Sequence, residues 1–61
     1  MSTQESVKRF RDFLAPKLDR YSLELLDVEI EDEEWDFAYE MESDAAKALG
    51  LEIPPSMLLA A

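Results

Sequence analysis

Apolar and polar residues alternate along positions 26–42. Leu26, Val28 and Ile30 are separated by Asp27 and Glu29, and after a break at 31–34, Trp35, Phe37, Tyr39 and Met41 are separated by Asp36, Ala38 and Glu40. Successive side chains of a strand point to opposite faces, so this period of two predicts two half-buried strands joined by a hairpin loop at 31–34. Placing Ile30 opposite Trp35 sets Val28 against Phe37 and Leu26 against Tyr39, with aromatic and β-branched contacts fixing the register. The other face is then almost wholly carboxylate, with Glu29 across from Asp36. Like charges so placed cost an amount comparable to the roughly 0.2–1 kcal/mol of a favourable pair. Glu and Asp are also poor strand residues. Asp32-Glu33 lacks the Gly or Asn of a two-residue primed turn, which points to a four-residue loop or a bulge. Such a face lowers stability and calls for another reason to exist.

The flanking segments read as helices. Ser2 and Glu5 have the spacing of a capping box. Val7, Phe10, Leu14, Leu18 and Tyr21 follow at steps of three and four, with Phe13 beside them. Pro16 removes a helical hydrogen bond and biases Ala15 away from helical angles, so the helix ends or kinks near Ala15, with a further turn up to Asp19. A rival reading runs one kinked helix to residue 26. Later in the chain, Ser43 is a good N-cap for a short second helix over 44–49, and Gly50 supplies a left-handed stop. Leu51-Glu52-Ile53 is either a brief third strand or an apolar plug after the helix. Pro54-Pro55 closes it, and Ser56 caps a last turn over 57–61. Phe10, Phe13, Trp35, Phe37 and Tyr39 are expected to pack between helix and hairpin. The expected fold is a small α+β domain spanning residues 1–61, helix, β-hairpin, helix (αββα), with the acidic sheet face left open.

Composition narrows the function. Sixty-one residues with neither Cys nor His offer no disulfide and no thiolate or imidazole metal site. The net charge of -9 is unevenly spread: eleven acids and no base occupy 24–44, whereas five of the six cations precede residue 21. A block of this kind repels nucleic acid and anionic membrane and steers basic partners towards it. The longest apolar run, 57–61, is far too short to span a bilayer, and no signal peptide is evident, so a cytoplasmic location is expected. No nucleophile and base pair, Gly-rich phosphate loop or imidazole is present, and an open carboxylate face is too wet and uniform to separate two pKa values. The chain therefore does not read as an enzyme, and no cofactor is expected. Asp27-Val-Glu29-Ile-Glu31 has the opening of a calcium loop, but Asp32 stands where that loop needs Gly and Ala38 where it needs Glu. A carrier-protein reading fails for want of an Asp-Ser-Leu attachment site.

The acids then become the candidate binding residues: Asp27, Glu29, Glu31, Asp32, Glu33, Glu34, Asp36, Glu40 and Glu42. Carboxylates on alternate strand positions repeat every 6.6–6.8 Å or so, with rows about 4.8 Å apart. Such an array suits a groove built for phosphates, because Arg pairs with carboxylate much as it pairs with phosphate. The chain is accordingly read as an acidic inhibitor that mimics nucleic acid and blocks a DNA- or RNA-binding protein or nuclease complex. In size and charge alone it resembles the small acidic inhibitors of phage-encoded anti-restriction and anti-CRISPR type. The alternative is an antitoxin-like or regulatory assembly module using the apolar C-terminus and a strand edge. The hairpin edges and residues 57–59 favour a homodimer.

Overall fold

A computed structural model describes residues 3–57. Three helices make up most of this span: α1 at Thr3–Leu14, α2 at Arg20–Glu31 and α3 at Trp35–Ala48, with single 3₁₀ turns at Ala15–Lys17 and Pro55–Met57. In α1 the stripe read from the sequence is the buried face, with Val7, Phe10 and Leu14 removed from solvent and Lys8, Arg9 and Asp12 outside. Pro16 breaks the helix where its missing N–H and its ring require. The chain turns through Ala15–Lys17, the Leu18 N–H donates to the Leu14 carbonyl at 3.0 Å, and Leu18 itself is extended. Asp19 then opens α2 as its N-cap: its carboxylate accepts from the Ser22 N–H at 3.1 Å and from the Ser22 hydroxyl at 2.6 Å. The Ser2 half of the expected capping box lies outside the described residues.

The hairpin does not form. Among the described residues there is no strand, and the segment assigned to the hairpin, 26–42, is the second half of α2, the turn after it and the first half of α3. The αββα expectation, its open sheet face and its cross-strand pairs are therefore corrected to an all-helical arrangement. The rival reading placed helix over 20–26, where α2 does lie, but the first helix ends at Leu14 as the main reading expected, and Tyr21 and Leu25, which carried the stripe onward, are exposed. Two features hid the helical period. On α2, Leu23, Leu26 and Ile30 form the inward row, while Val28, the middle of the supposed alternation, is half exposed. On α3 the inward row is Trp35, Ala38, Glu42, Ala45 and Ala46, in which Ala38 had been placed on the polar side and Glu42 interrupts the apolar stripe. Leu, Glu, Met and Ala favour helix, and Glu and Asp disfavour strand, so local preference and burial agree once the period is read as 3.6.

Helix α3 packs against both other helices. One core cluster joins Val7, Leu26 and Ala38, with Leu18, Ile30, Trp35, Tyr39 and Met41 against it. The other joins Phe10, Leu14 and Ala46, with Phe13, Leu51, Ile53 and Met57 among its neighbours. Small residues at 38 and 46 let the large side chains of α1 approach α3, and Phe10 meets Tyr39 edge to face at 6.1 Å. Phe37 and Tyr21, expected in the core, are instead 64% and 70% exposed.

Both α2 and α3 end in Schellman geometry. After α3 the Leu51 N–H donates to the Ala46 carbonyl and the Gly50 N–H to that of Lys47, with Gly50 at φ 68°. Gly50 is thus the left-handed stop the sequence indicated. Ser43, expected to cap a separate helix, lies inside α3. Leu51 and Ile53 act as an apolar plug, not a strand, and Met57 folds back on the same cluster. Residues 58–61, with the turn and dimer contact expected there, lie outside the described residues.

Candidate functional site

The structure divides the nine candidate acids into three groups. Asp27 is neutralised in the seam between α1 and α2. Its two oxygens accept from Arg11 Nε at 2.8 Å and Nη2 at 3.0 Å, a bidentate fork that holds the Asp27 carboxyl below its ordinary range. Glu42 is fully buried on the row that α3 turns inward, one helical turn from Ala38 and one from Ala46. Neither of its oxygens has a hydrogen-bond partner, and burial pushes its pKa up to about 8. Both residues are corrected: Asp27 is engaged within the fold, and Glu42 belongs to the core.

The other seven stay together around the corner where α2 gives way to α3. Glu31, Asp32, Glu33, Glu34, Asp36 and Glu40 are exposed and Glu29 is half-buried. Arg11 pairs with Asp12 and Asp27, and Arg20 with Glu24, and none of these pairs involves the seven. Their arrangement follows a helical corner, which removes the two-row strand spacing from the argument. The cost to stability remains in another form. Glu29, Glu31 and Asp32 stand at the C-terminal end of α2, where the helix dipole already concentrates negative charge and no basic residue occupies the last turn. Beyond them the Glu33 N–H donates to the Ile30 carbonyl and the Glu34 N–H to that of Glu29, which puts Glu33 in the left-handed position at φ 59°. Gly occupies the equivalent place after α3, and a side chain with a Cβ is disfavoured there. Asp36, by contrast, sits in the first turn of α3, where a negative charge is favourable.

Beside this corner runs an open groove of about 360 Å³, lined by Glu29 from α2 and by Phe37, Glu40, Met41 and Asp44 from α3. Tyr21, Leu25 and Val28 on α2 and Phe37 on α3 are exposed apolar side chains of the same two helices. The sequence pattern puts Phe37 and Met41 on the apolar face of a strand and Asp44 at the start of a separate short helix. The signal that identifies them is their i, i+3, i+4, i+7 spacing with Glu40, which a period of two conceals.

Among the described residues no group of three or more potential ligands is placed to hold a metal ion. No described helix is long and apolar enough to cross a membrane. Comparison with protein-family models, curated proteins and solved structures finds no match to this chain.

Proposed function

We propose that this chain is an acidic protein-binding domain that engages the basic surface of a nucleic-acid-binding protein through the α2–α3 corner and so competes with the nucleic acid. One observation carries the reading: seven carboxylates are displayed at one corner without a cation among residues 21–46, three of them at a helix end that disfavours them. Stability selects against this placement, while long-range attraction to a basic groove rewards it. Arg and Lys that hold phosphates can hold carboxylates in the same way.

The test compares native protein with a Glu31→Gln, Asp32→Asn, Glu33→Asn variant as bait in a lysate, followed by DNA and RNA competition on each captured protein. Circular dichroism checks that both baits are folded. The reading expects a nucleic-acid-binding protein held by the native form alone, released by salt, and stripped of its nucleic acid by native protein. Equal retention by both baits contradicts it. The assembly reading has lost its strand edge, and the groove beside the corner gives it a new basis as protein-to-protein contact.

A further inference from the structure

The groove between α2 and α3 differs from the corner in carrying an apolar floor. Phe37 and Met41 are one turn apart on α3, and Glu40 and Asp44 form a parallel row one turn apart beside them. Glu29 closes the opposite side from α2. Met41 packs on the inner cluster with part of its side chain and lines the groove with the rest, whereas Phe37 is 64% exposed. An exposed aromatic ring and a flexible thioether between rows of carboxylate match a helix that has apolar residues on one stripe and cations along its margins.

We infer that this groove is a docking site for a basic amphipathic helix of the partner, a proposal that rests on the corner's attraction for basic proteins and adds the contact element. Charge excludes the other occupants. A second copy of this face would set Glu29, Glu40 and Asp44 against their own counterparts, and no cation lines the groove to offset the repulsion. Nucleic acid and anionic lipid are repelled for the same reason. The groove is shallow and open, unlike the enclosed apolar pockets that bury most of a small ligand.

The probe is a synthetic 18-residue peptide of Leu and Lys with Leu at i, i+3, i+4 and i+7, compared with a peptide of the same composition in which the stripe is scrambled. Each is titrated into the full chain and followed by backbone amide NMR. The striped peptide is expected to bind at least about tenfold more tightly, moving the amides of Phe37, Glu40, Met41 and Asp44. Phe37→Ala, at an exposed site, is expected to weaken it about tenfold, the loss typical of truncating an aromatic anchor. A Glu40→Gln, Asp44→Asn variant is expected to weaken it and flatten its salt dependence. Equal binding of both peptides, or shifts confined to residues 31–34, would overturn the groove while leaving the charge-driven reading of the corner standing. Failure of the striped peptide to bind overturns the groove whatever the bait experiment returns, since that experiment perturbs only the corner.

Discussion

Helix α1 makes two seams, and each takes in a carboxylate. Across the seam with α2, Arg11 places two nitrogens on the two oxygens of Asp27, and both side chains keep a share of solvent. On the face α3 turns inward, Glu42 lies between Ala38 and Ala46 with no solvent and no hydrogen-bond partner. The same functional group is held as an anion in one place and pushed towards its neutral form in the other. A buried acid is decided by its partner, not by its depth alone: pairing favours the charge, and desolvation without pairing expels it. The corner acids are a third case, outside the ion pairs of the fold and, Glu29 apart, exposed, so their charge is available to another molecule.

The largest effect expected from this contrast concerns Glu42. Its folded pKa is about 8 against an ordinary value of 4.5, so the folded state binds the proton more tightly than the unfolded chain. Its contribution is full below about pH 4.5, declines by up to about 1.4 kcal/mol per pH unit above that, and is gone once the pH passes 8. Urea unfolding should therefore show stability falling by roughly 4 kcal/mol across that window. Glu42→Met keeps the volume and removes the polar atoms. It should raise stability at pH 7 by about 2 kcal/mol and flatten the profile. A variant no more stable than native protein, with the slope retained, would place the buried titrating group elsewhere.

Asp27 should behave with the opposite sign. Its lowered pKa means that its contribution is present above the ordinary carboxylate range and is lost as pH falls through the folded value. Asp27→Asn should cost about 1 kcal/mol at pH 7, because the fork is bidentate but partly solvated, and should lessen the loss of stability in acid. Thermal unfolding from pH 2 to 7 checks both. Glu33→Gly should have an effect of similar size and opposite direction, adding about 1 kcal/mol by relieving a left-handed side-chain position. Phe37→Ala should change stability by no more than about 0.5 kcal/mol, since the ring is mostly in water. A larger loss would return Phe37 to the core and remove the floor of the proposed groove.

The residues that were legible in the sequence and those that were not differ in a physical way. Val7, Phe10 and Leu14 lie on an uninterrupted helical period, and Pro16 and Gly50 act through backbone geometry that neighbours hardly alter, so these features could be read directly. From residue 26 onward the period of two is a coincidence of composition. Ala38 and Ala46 are core residues because they are small, and a methyl group marks an apolar stripe only weakly. Glu42 is a core residue despite its charge, so the stripe has a hole at its centre. An excess of acids in a supposed strand is first of all evidence against the strand, and only then a cost awaiting a function, since Glu is a helix former that sheets avoid. At the site, the exposure of seven acids follows from their chemistry. The removal of Asp27 and Glu42 depends on Arg11 sixteen residues away and on the inward face of α3, which tertiary packing alone defines.

The central claim is that the corner acids are kept against stability for the sake of binding. It is tested most directly by measuring, on one preparation of the Glu31→Gln, Asp32→Asn, Glu33→Asn variant, both its unfolding free energy at pH 7 and its affinity for the protein captured by native bait. The account predicts a gain of about 1 kcal/mol or more in stability from the relieved helix end and left-handed position, together with a large, salt-sensitive loss of affinity. Unchanged affinity in a folded variant, with stability equal to or below that of the native chain, would contradict it.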